Sequence, residues 1–136
     1  MNPLEEGAQL QVDWSKLGAL AGKGLGVVPV AVQNVDTRGV ILVAYVNQQA
    51  LDESVRTKTA TFWSTSRDEL WVKGKTSGDT FELLEIRVNC EQNSLLYIVR
   101  PRREGICHTK NQHGRSRNCF YRRLDMATMQ LANLDP

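Results

Sequence analysis

β-branched runs separated by turn residues most constrain the fold of this chain. Residues 27–47, VVPVAVQNVDTRGVILVAYVN, are rich in Val and Ile, and the tetrapeptide DTRG at 36–39 interrupts them. Two β-branched runs around a turn-forming tetrapeptide are typical of a β-hairpin. We therefore predict one strand near 29–35 and a second near 39–46.

The segments that follow add more strands and one helix. Ala50, Leu51 and Val55 recur at helical spacing, and Asn47 is a suitable N-cap, which predicts a helix over 47–58. Runs rich in β-branched and aromatic residues predict further strands at 59–64, 69–76, 79–90, 94–101 and 119–124. The prediction is a compact single α+β domain, mostly antiparallel sheet with one main helix.

With 136 residues, the chain is long enough for one domain with a real core. We expect a short helix over 13–20 near the N-terminus, a flexible turn at 22–26, and a short tail helix over 126–134. In this interpretation the chain has an N-terminal lead-in, a central domain and a C-terminal tail, at residues 1–26, 27–124 and 125–136.

Charge and hydropathy limit the partners. The formal net charge is only +2, but the basic residues cluster at Arg100, Arg102, Arg103, Lys110, Arg115, Arg117, Arg122 and Arg123. Such a cluster favours a phosphate, nucleotide or nucleic-acid partner, or else forms a solvated basic face. No apolar run reaches the length of about 18 residues that a membrane span needs. The polar, acidic N-terminus is unlike a secretory signal, so we expect a cytoplasmic location and reduced cysteines.

The segment GICHTKNQHGRSRNCFYRR, residues 105–123, holds Cys107, His108, His113 and Cys119, while Cys90 lies upstream. Eleven residues separate its two cysteines, so neither a zinc finger nor a zinc ribbon fits. The motifs of the zinc deaminases do not occur either. Three cysteines can bind a catalytic zinc that keeps its fourth position for water, and three buried structural cysteines are the alternative.

A second candidate site is FWSTSRDELWVKGKTSGD, residues 62–79. Its tryptophans can stack on a base, and its hydroxyls and cations can hold phosphate. Core tryptophans between solvated loops are the alternative, and composition does not separate the two. The candidate substrate-binding residues are Trp63, Ser64, Ser66, Arg67, Trp71, Lys73, Thr76 and Ser77.

These motifs together make the chain similar to the phosphoribosyl-AMP cyclohydrolase family of histidine biosynthesis. The run WSTSRDELWVKGKTSG at 63–78 is highly specific, and the resemblance extends over about 27–123. It implies an intertwined homodimer that adds water at C6 of the purine of 1-(5-phosphoribosyl)-AMP and breaks the N1–C6 bond. It also implies zinc bound by three cysteines shared across the subunit interface, and magnesium bound by aspartates around the first cysteine.

The resemblance assigns roles to particular residues. Cys90, Cys107 and Cys119 become the zinc ligands, with zinc lowering the pKa of bound water. Three thiolates blunt that effect, so a nearby general base is useful, and His108 is the candidate. The substrate is a small phosphorylated nucleotide. We expect no membrane partner, and we do not expect a nucleic-acid partner.

Two departures from the family pattern matter. Asn89, Glu91 and Asn93 replace the three family aspartates, which puts magnesium binding in doubt because this ion favours carboxylates. The loop at 110–118 is longer than usual, and we expect His113 within it to be a surface residue. The altered acidic motif keeps open a paralogue acting on another purine-like ring. The arginines keep open a non-catalytic zinc dimer that binds nucleotides or nucleic acid.

Overall fold

The structure is a computed structural model, and it describes residues 2–11, 26–103 and 105–136. The helix predicted over 13–20 and most of the turn predicted at 22–26 lie outside the described residues. In chain order the elements are α1 (Pro3–Glu6), β1 (Val28–Asn34), β2 (Val40–Val46), α2 (Gln48–Thr57), β3 (Thr61–Ser64), β4 (Glu69–Val72), β5 (Phe81–Val88), β6 (Leu95–Pro101), β7 (Arg122–Leu124) and β8 (Leu131–Asn133).

A four-stranded sheet in the order β2-β1-β6-β5 forms the centre of the fold. The β1–β2 and β5–β6 pairs are antiparallel, and β1 and β6 pair in parallel. Two smaller antiparallel sheets are formed by β3–β4 and β7–β8. The predicted α+β class, with a mostly antiparallel sheet and few helices, is therefore confirmed.

One face of the central sheet carries the core. Side chains alternate across a strand, and this alternation buries Val30 of β1 and Tyr97 of β6 completely. Phe62 of β3 is also fully buried, with its ring centroid 6.0 Å from that of Tyr97. The β3–β4 hairpin therefore packs its aromatic side on the inner face of the central sheet.

The predicted main helix forms as α2. Asn47 caps it, because the Asn47 Oδ1 accepts a hydrogen bond of 2.9 Å from the Ala50 backbone N–H. Buried Ser54 ties α2 to the sheets, since its Oγ accepts from Thr61 N at 2.9 Å and from the Tyr97 hydroxyl at 3.2 Å. Among the described residues, no helix combines the length and apolar character needed to cross a bilayer.

The tail helix predicted over 126–134 is wrong, because this segment forms the turn and second strand of the β7–β8 hairpin. The Asp125 carboxylate accepts hydrogen bonds from the backbone N–H groups of Ala127 and Thr128, at 2.8 and 3.1 Å. Met129 then takes a positive φ of 62°. An Asp side chain that bonds the backbone just ahead of it stabilises a turn and competes with helix formation.

Candidate active site

The segment between Cys107 and Cys119 folds back on itself, and we call residues 107–119 the cysteine hairpin. Backbone pairing closes it at successive levels, which are Cys107 N to Arg117 O at 2.9 Å, the Lys110–Ser116 bridge, and Asn111 N to Arg115 O at 2.9 Å. His113 is exposed at the tip, as the sequence predicts. The long insertion is therefore an ordered hairpin that returns the chain to its starting point and brings the two cysteines together.

Two other parts of the fold hold the cysteine hairpin in place. The Cys119 backbone N–H donates to the carbonyl of Ile41 on β2 at 2.9 Å. At the far end, the Asn111 side-chain amide donates to the Asp135 carboxylate at 3.0 Å. The hairpin is thus fixed both to the central sheet and to the C-terminal residues.

The thiol of Cys119 lies close to that of Cys107. The Thr109 hydroxyl donates to Cys107 Sγ at 3.3 Å. Although Cys119 as a residue is exposed, desolvation of its thiol, followed by the charge of Cys107 and a hydrogen bond with it, raises the pKa of Cys119 to about 12. Neither cysteine forms a disulfide. Two adjacent soft sulfur donors match the preference of zinc.

These thiols open onto a cleft of about 420 Å³. The cleft combines an aromatic wall, two lysines, a carboxylate, two thiols and an imidazole. Its lining residues are Leu42, Trp71, Lys73, Gly74, Ser77, Asp79, Gly105, Ile106, Cys107, His108, Lys110, Ser116 and Cys119. This mixture of an apolar wall with convergent polar groups is typical of a binding site.

Lys73 is a half-buried cation that lines this cleft. Its Nζ donates to the carbonyls of Gly105 at 2.8 Å and Asp79 at 3.2 Å. Burial lowers the pKa of Lys73, while attraction to Asp79 and to both hairpin thiols opposes that shift. The ammonium therefore links the residues just before the cysteine hairpin to the turn before β5. Part of its hydrogen-bonding capacity is already used by these two carbonyls.

The predicted substrate-binding residues lie around Trp71. Trp71, Lys73 and Ser77 line the cysteine cleft, and a neighbouring cleft of about 510 Å³ adds Arg67 and Thr76. The remaining predicted residues, Trp63, Ser64 and Ser66, line a third cleft, of about 450 Å³. Trp71 borders all three clefts. Its ring also lies 5.3 Å from that of Phe62, so Trp71 has one side against the core.

Cys90 lies apart from the two other cysteines. It is exposed in the turn at 89–94, at the end of β5 away from Phe81. Phe81 is close to the cleft, because the Lys73 Nζ lies 4.9 Å from its ring. Within the described residues of one subunit, no three His, Cys, Asp or Glu side chains come together as a metal site. The structure therefore joins two of the three predicted zinc ligands.

The residues around Cys90 form what we call the amide turn, residues 89–94. The Asn89 Nδ2 donates to Asn93 Oδ1 at 2.6 Å, and Asn89 Oδ1 accepts from the backbone N–H groups of Asn93 and Ser94, both at 2.9 Å. The Asn93 amide also donates to Glu91 at 3.3 Å. The candidate magnesium ligands thus bond to one another, with a single carboxylate among them. This set does not fit magnesium, which favours anionic oxygen.

Several residues of the basic cluster have structural partners. Arg117 is 3% exposed and forms two hydrogen bonds with the Glu6 carboxylate, at 2.6 and 3.3 Å. Arg100 pairs in the same two-pronged way with Asp36. Arg102, Arg103 and Arg122 donate to backbone carbonyls of Lys58, Ser77 and Gly7, respectively. The cluster is therefore largely internal bracing, and its density is weaker support for an anionic partner than the sequence suggests.

The N-terminal segment contributes a contact that the sequence analysis missed. The His108 Nε2 lies 2.7 Å from a carboxylate oxygen of Glu5, and its Nδ1 lies 3.9 Å from Cys107 Sγ. Glu5 belongs to the predicted lead-in, and 102 residues separate it from His108. No local signal in the sequence indicates such a pair, because only the path of the chain in space creates it.

Comparison with known proteins places these features in one family. The sequence model of the family "PRA-CH: Phosphoribosyl-AMP cyclohydrolase" matches residues 42–121. Phosphoribosyl-AMP cyclohydrolase of Archaeoglobus fulgidus is 42% identical over 100 residues, covering 74% of this chain and 87% of that protein. The enzyme of the same name from Halobacterium salinarum is 42% identical, with 83% of each chain covered.

A longer relative also matches. The histidine biosynthesis bifunctional protein HisIE of Thermus thermophilus is 43% identical over 99 residues, which cover 73% of this chain and 44% of that protein. The three relatives match between 73% and 83% of this chain, and the range of the family model includes the cysteine hairpin, Trp71 and Cys90. The chain belongs to the phosphoribosyl-AMP cyclohydrolase family.

Proposed function

We propose that this protein is a zinc-dependent phosphoribosyl-AMP cyclohydrolase that opens the purine ring of 1-(5-phosphoribosyl)-AMP in histidine biosynthesis. The observation that carries the proposal is the placement of the Cys107 and Cys119 thiols and the His108 imidazole on one cleft beside Trp71. A pair of soft donors, an acid–base group and an aromatic wall suit the hydrolysis of a purine amidine.

The reaction can be written with this chain's own acid–base group. The oxygen of a water molecule bonds to C6, and the His108 imidazole accepts a proton from that water. The N1–C6 bond then breaks, and N1 leaves with the electron pair and takes a proton from the imidazolium. The second proton of the water goes to the exocyclic imine nitrogen on C6, so the water oxygen and that nitrogen become the C=O and NH2 of the carboxamide. His108 thus moves one proton from water to N1 and returns to its starting form.

Zinc, when bound by the cysteines, supplies Lewis acidity that makes hydroxide available near neutral pH. Cys107 and Cys119 of one subunit provide two ligands in this proposal, and Cys90 of a second subunit provides the third. The position of the amide turn favours this division. Cys90 follows one end of β5, and the cleft lies near Phe81 at the other end. The eight residues between these ends span roughly 25 Å at the usual rise per residue. Sharing ligands removes the need to bring Cys90 across that distance within one subunit.

The outer face of the central sheet supports a dimer. Ladder pairing puts Ala31 level with Val43 on β2 and with Leu96 on β6. Residues paired across a ladder share a face, and this row points away from the core. Val43 is 52% exposed there, and Val40, in the next outward row, is 47% exposed, whereas Ile98 in that row is buried. Gln33, Glu85 and Arg87 lie in the same two outward rows, so the outer face is apolar only in part. Exposed apolar residues such as Val40 and Val43 are the kind of surface that a second copy covers.

Trp71 and its surrounding clefts are the proposed nucleotide site. The indole of Trp71 stacks on the purine in this arrangement, since it borders the cysteine cleft and both neighbouring clefts. Arg67 and Lys75 line the second cleft beside Thr76 and Ser77 and suit one phosphate. Lys110 lines the cysteine cleft and suits the other.

Magnesium has no assigned role in this proposal. The amide turn retains only Glu91 as an anionic oxygen donor, and the side chains of Asn89 and Asn93 are already hydrogen-bonded to each other. Binding magnesium there would require breaking those hydrogen bonds with little charge to offset dehydration of the ion. We therefore expect the substrate-free protein to bind magnesium weakly.

A steady-state assay of the zinc-loaded protein with phosphoribosyl-AMP tests the function. We expect formation of the ring-opened aminoimidazole carboxamide, and its loss when zinc is removed by a chelator. A Trp71→Phe variant, which keeps an aromatic face, should retain more activity than Trp71→Ala. Turnover of another purine-like ring in preference to this substrate would indicate a paralogue, and binding without turnover would indicate a non-catalytic nucleotide-binding protein.

A further inference from the structure

The N-terminal residues 2–9, which we call the N-terminal strap, are bound along the C-terminal part of the fold. The buried Arg117 guanidinium holds Glu6, and the Tyr121 hydroxyl donates to the Glu5 carbonyl at 2.6 Å. Further along, the Leu131 backbone N–H donates to the Ala8 carbonyl at 2.7 Å. The strap is therefore attached at Glu5 itself and on its C-terminal side, which fixes the backbone that carries the Glu5 carboxylate.

The position of Glu5 determines which nitrogen of His108 carries the proton. An ionised carboxylate only accepts hydrogen bonds, so the His108 Nε2 at 2.7 Å from Glu5 must be the donor. The neutral ring then has its lone pair on Nδ1, the nitrogen 3.9 Å from Cys107 Sγ. A carboxylate on one nitrogen of a histidine therefore leaves the other nitrogen ready to accept a proton beside a ligand cysteine.

The ring of His108 has little else to hold it. Its side chain is 78% exposed, while that of Glu5 is 34% exposed. An exposed imidazole beside a cleft samples several rotamers and both tautomers unless a partner selects one. Glu5, anchored by the strap, is the partner that the structure provides.

We propose that Glu5 is a positioning residue for the reaction, acting through His108 by fixing its ring orientation and its Nε2-protonated tautomer. The inference rests on the proposed function, in which His108 is the acid–base group. It adds a residue outside the segment 42–121 that the family model matches. Through Glu5, the N-terminal strap would then contribute to the reaction as well as cover the C-terminal residues.

The test is a double-mutant cycle on the zinc-loaded protein with Glu5→Ala, His108→Ala and the double variant. Loss of a partly exposed orienting hydrogen bond should lower the kcat of Glu5→Ala by about tenfold with KM little changed. In the His108→Ala background the same change should have no further effect, because the coupled group is gone. Glu5→Asp should recover part of the kcat, while Glu5→Gln should not, since its amide can donate to Nε2 and favour the wrong tautomer.

Glu53→Ala is the matched control. Glu53 is a carboxylate of similar exposure, 32%, paired with Arg56 on α2. We expect parental kcat from this variant. Zinc content and melting temperature are measured for every variant, so that a loss of metal or of the fold is recognised.

The tautomer has a direct readout that does not depend on turnover. In a His113→Gln background, ¹⁵N spectra of the remaining imidazole should show the Nε2-protonated form, and Glu5→Ala should give a mixture of tautomers. An unchanged spectrum, or an equal loss of kcat in the presence and absence of His108, would overturn the inference. A higher kcat in Glu5→Ala would also overturn it and identify Glu5 as a group that blocks the site. Near-parental kcat in His108→Ala would instead remove the acid–base assignment on which the inference rests.

Discussion

The cysteine hairpin and the amide turn carry the three cysteines of this chain, and the two segments are built in opposite ways. The hairpin bonds to β2 through Cys119, to the C-terminus through Asn111, and to the N-terminal strap through Arg117. The amide turn is closed by hydrogen bonds among Asn89, Asn93 and Ser94, and all but Ser94 of its residues are exposed. The hairpin therefore presents two preorganised thiols, whereas the turn presents one thiol to the outside.

This difference explains how a small chain could build a metal centre. Preorganisation lowers the entropic cost of collecting ligands, and the hairpin supplies it for Cys107 and Cys119. In the proposed centre, the remaining ligand would come from an exposed turn of a second subunit. The proposed division also separates two tasks, since the hairpin side carries His108 and the cleft, while the turn side would contribute only the Cys90 thiol.

The largest expected effect comes from substituting one cysteine in the amide turn and, separately, one cysteine in the cysteine hairpin. Cys90→Ser and Cys107→Ser should each abolish zinc-dependent turnover. Co-expressing the two variants with different tags should restore about a quarter of the parental activity per subunit, because half of the dimers are mixed and each mixed dimer has one intact site. A mixture that remains inactive, although mixed dimers are isolated, would contradict ligand sharing.

Within the hairpin, the two histidines should differ sharply. His108→Ala should lower kcat by about 10² to 10⁴, the usual contribution of one acid–base group, with zinc retained. His113→Ala is the matched control, because its side chain lies exposed at the hairpin tip, and it should keep nearly parental kcat. Equal effects of the two substitutions would contradict the role given to His108.

The amide turn can be converted toward the family pattern. The triple variant Asn89→Asp, Glu91→Asp and Asn93→Asp should bind magnesium more tightly than the parent, by about tenfold or more, since it adds two carboxylates. Isothermal titration of magnesium into substrate-free protein measures the change. Tight stoichiometric binding by the parent would show that the amides and Glu91 suffice.

A smaller effect should come from the strap that braces the hairpin. Glu6→Gln replaces the charged carboxylate that pairs with the buried Arg117 guanidinium by a neutral amide. This change should lower the melting temperature by about 3 to 6 °C. Glu91→Gln, in the exposed amide turn, should change it by less than about 1 °C. Differential scanning calorimetry at neutral pH measures both, and similar shifts would remove the contrast between the two segments.

The ion pair between Glu6 and Arg117 also predicts the smallest effect, which is a pH dependence of the stability that Glu6 contributes. The hydrogen bond from Arg117 lowers the pKa of Glu6 below its ordinary value of 4.5. A carboxyl group with a lower pKa in the folded state stabilises that state above its unfolded pKa and loses the contribution as the pH falls through the folded value. The difference in melting temperature between parent and Glu6→Gln should therefore be constant near neutral pH and shrink below about pH 4.

The central sheet and α2 could be predicted because their signals are local. The turn at 36–39 between two β-branched runs gives β1 and β2, and Asn47 with the helical spacing after it gives α2. The prediction of a tail helix was wrong for a local reason as well. The Asp125 carboxylate accepts hydrogen bonds from the backbone N–H groups of Ala127 and Thr128, and this turn forms in place of the weakly predicted helix.

The sequence by itself determined the strands, the main helix, the family and the residue types of the site, because periodicity, turn residues and the run at 63–78 are all readable along the chain. Only the tertiary structure decided which of those residues meet. It joins Cys107 to Cys119 through a hairpin, keeps Cys90 apart, uses Arg117 as a brace for Glu6, and brings Glu5 to His108. The partners in such contacts are up to 111 positions apart in the sequence. They depend on how separate elements pack, and no pattern of neighbouring residues encodes that packing.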